Sequence, residues 1–200
     1  MARTHRRPAC GRGARVELRE EQILGLSLLR PVAPDALLDE EAFAADEFLP
    51  YWAELWPAAT ALANALPDVH GLRVVELGCG LGLPSLVAAA KGARVTATDW
   101  SADAIELLRE NAARNNLELL AEVRDWRVPW DERFDVALAA DVLYEERNVE
   151  PVAECLRTVA PAAIVALAGR PYEEAFLRLA EASGQRVEHV GKLVRLSEER

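Results

Sequence analysis

Sulfur is scarce in this chain, with three cysteines and one methionine among two hundred residues. Cys10, Cys79 and Cys155 are scattered and form no C-x-x-C pair, so neither a disulfide framework nor a thiolate metal site is expected. That usage suits a reducing compartment and predicts a cytoplasmic protein. Histidine is as sparse, at His5, His70 and His189, and these are too far apart to suggest a metal centre. No apolar run approaches the roughly 20 residues of a membrane helix. A basic segment followed by an apolar secretory core is missing too, as are internal repeats and low-complexity tracts. The composition is that of a soluble domain, 51% hydrophobic and 28% charged, with chain enough for a single core.

Positive charge is also scarce beyond the start. Arg3, Arg6, Arg7, Arg12, Arg15 and Arg19 against Glu17 and Glu20 give residues 1–20 a charge of +4; with a net charge of −10, the other 180 residues carry −14. Such a body repels phosphate backbones, which argues against nucleic acid and for a basic partner such as a lysine-bearing protein. Residues 1–20 read as a basic, solvated arm, with an organelle-targeting segment as the other reading.

The stretch Val74–Pro84 organises the remainder. An apolar strand runs into glycines at 78, 80 and 82, and an apolar helix follows at once, with Pro84 in its first turn. Such a turn brings backbone N–H groups and the positive end of a helix dipole close to a ligand. The dinucleotide fingerprint G-x-G-x-x-G would need glycine at 83, where Leu83 stands, so a nicotinamide oxidoreductase is excluded.

From residue 72 onward, strands and helices alternate. Strands are predicted at 73–77, 93–98, 119–123, 134–140, 163–168 and 185–190, with a short last one within 191–196. Helices are predicted at 83–91, from Ser101 to Asn115, from about Asn148, and at 172–182. This is an α/β pattern, a doubly wound, mostly parallel sheet with helices on both faces, which binds ligands beyond the strands' carboxyl ends. One domain is expected over 21–200, with a lead-in at 21–56 and a Rossmann-like core at 57–200. The lead-in should hold a short strand at 23–29 and an acidic helix at 35–45. Tyr51, Trp52 and Trp56 then cluster ahead of a helix that begins at Ala58 and ends near Pro67.

Polar and aromatic residues fall at consecutive strand ends. Asp99 follows Gly80 by nineteen positions, where a carboxylate can accept from both ribose hydroxyls, and Trp100 stands behind it. Asp125 and Trp126 end the third strand, where an indole can cover a purine and a carboxylate can take its amine; Asp125 reads equally well as a local cap. Ala140 and Asp141 end the fourth.

In chain order, Tyr-Trp-Ala-Glu-Leu-Trp-Pro (51–57), Glu-Leu-Gly-Cys-Gly-Leu-Gly (76–82), Asp99, Asp-Trp (125–126) and Ala-Asp-Val-Leu-Tyr (140–144) resemble the class I, seven-β-strand S-adenosylmethionine-dependent methyltransferases. The group they most resemble methylates a lysine of the electron-transfer flavoprotein β-subunit and includes bacterial nicotinamide N-methylase-like proteins. The resemblance covers about residues 22–196. It implies S-adenosylmethionine as methyl donor and a protein lysine as acceptor, with a small amine as the alternative. Charge and composition add the expectation of no nucleic-acid or membrane partner, and of the oligomeric states, which the sequence leaves open, a monomer is favoured. It places Trp56 at the donor's methionine end, Gly78, Cys79 and Gly80 beneath it, Asp99 at the ribose, Trp126 along the adenine, and an Ala140 backbone contact. Glu76 either binds the donor's amino group or caps the glycine turn. Asp141 and Tyr144 match the Asp-x-x-Tyr element of the acceptor pocket, with Asp141 orienting the amine or relaying its proton; Tyr144 is otherwise a core aromatic. A donor-binding module without activity is the remaining alternative. The short segment after strand six predicts a truncated seventh strand.

Overall fold

The computed structural model describes residues 4–8, 15–37 and 50–198. Two sheets arise from two sequence patterns. Strands β1 (Thr4–Pro8), β2 (Arg15–Ile23) and β3 (Leu26–Pro31) form an antiparallel meander. Between β2 and β3, Leu24 and Gly25 both take positive φ, 52° and 80°, the geometry of a tight two-residue hairpin. The single strand expected at 23–29 is therefore the end of one strand, a turn, and most of the next. Of the solvated arm expected at 1–20, the described residues 4–8 and 15–20 lie in strands instead. Arg15, Glu17 and Arg19 alternate with Val16 and Leu18, a strand pattern hidden by the charge count, and Leu18 is buried in the core. The acidic helix expected at 35–45 begins in a 3-10 turn at Pro34–Leu37 and otherwise lies outside the described residues.

The larger sheet carries helices on both faces. Its elements are α1 (Pro57–Ala65), β4 (Arg73–Leu77), α2 (Leu83–Ala90), β5 (Arg94–Asp99), α3 (Ala102–Arg114), β6 (Leu120–Val123), β7 (Val136–Ala140), α4 (Val149–Val159), β8 (Ala162–Ala166), α5 (Glu173–Ala182), β9 (Gln185–Val190) and β10 (Leu193–Glu198). Strand order is β6-β5-β4-β7-β8-β10-β9, parallel from β6 to β8, with β10 antiparallel to both of its neighbours. The expected truncation does not occur. Gly191 at φ 65° turns the chain straight back, so six residues suffice for β10 to pair with β8 on one side and β9 on the other.

Side chains alternating across the central strands feed two cores. Val74 and Leu138 face α1, α2, α3 and the meander; Val75, Leu77, Ala137 and Ala139 face α4 and α5. The meander's open edge is closed by a helix rather than a strand. Asn111 of α3 accepts from Leu29 N (2.7 Å) and donates to Leu29 O (3.1 Å); Asn115, one turn on, does the same for Ser27 at 2.8 Å each. Two amides spaced i, i+4 thus take the place of a neighbouring strand. Strand order reverses between β4 and β7, so the crevice opens beyond their carboxyl ends.

Candidate active site

The glycine turn follows β4 directly. Gly78 has φ 62°, and a Cβ there would lie 2.9 Å from the Trp126 ring and 3.1 Å from Val142. Only glycine lets the turn run this close to the indole. Gly82, at φ 74°, is the N-cap of α2, and a Cβ on it would meet Leu108 of α3 at 2.3 Å. One glycine keeps the ligand face open, and the other lets α2 pack on α3.

Two carboxylates hold this turn from behind. Asp99, at the end of β5, is 5% exposed; its oxygens accept from Gly80 N and Ser101 N, each at 2.9 Å. Burial raises its pKa to about 6, against the lowering by those backbone donors. Each oxygen retains acceptor capacity for a ligand hydroxyl. Glu76, wholly buried in β4, accepts from Ser85 N (2.9 Å) and from the Ser85 hydroxyl. Burial pushes it up to about 8, with a smaller push from the Asp99 charge. Of its two expected roles, the cap is the one its hydrogen bonds display. Cys79 is buried beside both carboxylates, and its thiol is pushed well above the usual range, chiefly by burial.

Beyond β7, Asp141 takes φ 54°, an uncommon conformation for a residue with a side chain. Arg170, in the loop after β8, clamps it with two parallel bonds, Nε to Oδ1 and Nη2 to Oδ2, both 2.8 Å. The Asp141 side chain is 4% exposed and that of Arg170 34%. The guanidinium lies over the Trp56 ring, 5.6 Å from its centroid. Asp141 in turn raises the Arg170 pKa further, so that side chain stays charged. Trp56 donates from Nε1 to Tyr51 O (2.9 Å), and the Tyr51 ring leans on Tyr144 with centroids 5.0 Å apart. Burial raises Tyr144 to about 12, which keeps its hydroxyl protonated at neutral pH.

These groups surround one cleft that is open to solvent at its mouth. Trp56, Glu76, Gly78, Cys79, Gly80, Asp99, Trp100, Trp126, Ala140, Asp141 and Tyr144 all line it. Asp125 does not: its carboxylate is turned to the Arg127 guanidinium at 2.6–2.9 Å and to Arg127 N at 2.8 Å, and it faces a neighbouring hollow. Two ionisable lining residues had no role in the sequence reading: Glu54, which stands within the 51–57 motif, and Arg170, which lies between the strand predicted to end at 168 and the helix predicted from 172. The signal for Arg170 was its position, four residues past the carboxyl end of the next strand over. Of the ionisable side chains lining the cleft, four are carboxylates (Glu54, Glu76, Asp99, Asp141) and one, Arg170, is a cation.

A seven-stranded sheet in this order, with an acidic glycine turn at its switch point, defines the class I methyltransferase fold. Magnesium protoporphyrin IX methyltransferase from Synechocystis PCC 6803 superposes with TM-score 0.63 at 17% identity, over 82% of this chain and 99% of that one. The 16S rRNA methyltransferase RsmC of T. Thermophilus also gives 0.63, at 19% identity, over 92% of this chain and 50% of that one. Within that fold, residues 52–181 match the lysine methyltransferase family model, and the chain belongs to that family. Electron transfer flavoprotein beta subunit lysine methyltransferase of Danio rerio is 35% identical over 115 residues, 54% of this chain and 45% of that protein. Protein N-lysine methyltransferase METTL21A of Mus musculus is 36% identical over 47% of this chain and 49% of its own length. Histone-arginine methyltransferase METTL23 of Homo sapiens is 33% identical over 49% and 58% respectively. The chain spans about half the length of these curated relatives.

Proposed function

We propose that this chain is an S-adenosylmethionine-dependent N-methyltransferase acting on a lysine side chain of a protein. The observation that carries this reading is the meeting, in one cleft, of the glycine turn with Asp99 and Trp126 on one side and Asp141 with Tyr144 on the other. The fit to the donor rests on features of the cleft itself: a buried carboxylate, Asp99, with spare acceptor capacity, and an indole against the glycine turn. Asp99 would hold the ribose, Trp126 the adenine and Trp56 the methionine end. Bound there, the donor supplies an electrophilic methyl carbon; the acceptor's lone pair forms the N–C bond as the S–C pair passes to sulfur.

The chain's own residues must deliver a neutral acceptor. Deprotonating a lysine of pKa about 10.4 at pH 7 costs about 4–5 kcal/mol. Asp141, fixed at the cleft wall, presents carboxylate oxygens to an amine N–H, and Tyr51, Trp56 and Tyr144 form an aromatic wall around an alkyl chain. The extra proton on the methylated nitrogen leaves to solvent through the open mouth. The named activities of the flavoprotein and METTL21A relatives support the lysine acceptor. A cytoplasmic setting is part of the proposal, supported by the unpaired, buried Cys79 and Cys155.

The test is incubation of purified protein with methyl-labelled S-adenosylmethionine and a cell lysate, followed by acid hydrolysis of the labelled protein. Label in methyllysine is the expected result. Label confined to small molecules or to methylarginine would replace the acceptor, and no uptake of the donor by calorimetry would remove the reading.

A further inference from the structure

Among the described residues lining the cleft, Arg170 is the one cation, and it is spent on the carboxylate that the proposed chemistry assigns to the acceptor. Its geometry is prepared on both sides. Glu173 Oε1 accepts from Ala168 N (2.7 Å) and Gly169 N (2.8 Å), pinning the loop that carries Arg170. The guanidinium then meets both Asp141 oxygens in a bidentate fork and stacks over Trp56. Tyr51 and Glu173 are the other ionisable groups acting on it, and Glu54, Glu76, Cys79, Asp99 and Tyr144 are the remaining described ones around the cleft; none offers a second positive charge.

Alone at the cleft wall, a carboxylate would bind a lysine as its ammonium and stabilise the form that cannot react. Paired with Arg170, Asp141 is neutralised yet keeps lone pairs for an N–H donor. Resting on the reading above, we propose that Arg170 is a positioning residue that cancels the charge of Asp141 before the acceptor arrives, so that the cleft selects the free amine.

The test has a binding arm and a turnover arm, on the full chain. Tryptophan fluorescence can follow n-butylamine binding to protein saturated with S-adenosylhomocysteine. In the wild type, affinity should rise about tenfold per pH unit between pH 7 and pH 9, as free base replaces ammonium. In Arg170→Gln the rise should vanish or reverse, because Asp141 then holds the ammonium. Arg170→Lys, which keeps the charge but not the fork, should retain the slope. In the turnover arm, methyl transfer to lysate protein by R170Q should fall about tenfold or more at pH 7 and recover towards pH 10, as expected for an acceptor pKa raised by one unit or more. Equal pH slopes in wild type and R170Q would overturn the proposal, as would higher transfer by R170Q at pH 7, which would make Arg170 a competitor for the acceptor seat. Absence of transfer by the wild type would count against the methyltransferase reading, while the butylamine arm still decides the role of Arg170.

Discussion

At the scale of single residues, the site is governed by where carboxylates are buried and what they accept. Asp99 must be ionised to accept two hydroxyl hydrogen bonds, and burial brings its pKa to about 6. Donor affinity measured by calorimetry should therefore weaken as pH falls through about 6, and Asp99→Asn should bind weakly with little pH dependence. Glu76 gives the complementary effect on stability. A carboxyl raised from its ordinary value to about 8 favours the fold fully below about 4.5, and that contribution is lost as pH rises through about 8. The urea midpoint of the unliganded wild type should fall between pH 5 and 8, and that of Glu76→Gln should fall less. Asp141→Asn keeps the shape of the cleft wall and removes the charge; turnover should drop by about a hundredfold or more with donor affinity nearly unchanged. Equal losses of both would make Asp141 a donor ligand. The sequence displayed most of these residues because each ends a strand or sits in the glycine turn. It concealed the partner each one chooses: Asp125 read equally as an adenine contact and as a local cap, and it is the local role that its bonds to Arg127 N and the Arg127 guanidinium display.

At the scale of elements, periodicity made the α-helices after residue 72 legible, and the strands too except for the full length of β10, since alternation of β and α leaves few ways to bury both sheet faces. The described residues 15–29 were misread because the charge count masked the two-residue alternation of Arg15, Glu17 and Arg19 with Val16 and Leu18, and because a hairpin turn made of Leu24 and Gly25 carries no Asn-Gly or Asp-Gly signal. The asparagine ladder between α3 and β3 was invisible for another reason. Asn111 and Asn115 look like helix breakers until the edge strand they serve is placed beside them. Asn111→Leu leaves the Leu29 N–H and C=O buried without partners, so it should cost about 2–4 kcal/mol. Chemical denaturation and hydrogen exchange at the Leu29 amide measure this, and the exchange should accelerate in the meander but not in β4. Gly82→Ala should also destabilise, by about 2 kcal/mol or more, through positive φ and the collision with Leu108 together.

At the scale of the whole molecule, an acidic body with a basic start sets long-range behaviour that no single contact controls. With a net charge of −10, association with a lysine-rich acceptor protein should be steered by charge. The KM for a protein acceptor should rise between about 50 and 300 mM salt, where screening shortens to a few ångströms, while affinity for the donor stays level. A change of equal size in both would place the salt effect in the cleft rather than on the surface. The placement of β10 reaches further, into how the molecule is made. Strand β9 touches the sheet only through β10, which is translated after it and slots between it and β8. During synthesis on the ribosome, β4 to β8 can assemble in chain order, but β9, packed against α5, lacks a strand partner until Leu193–Glu198 follows it. A stalled nascent chain lacking that last strand would thus carry a nearly finished donor cleft beside an unsealed sheet, a form for chaperones and proteases to recognise.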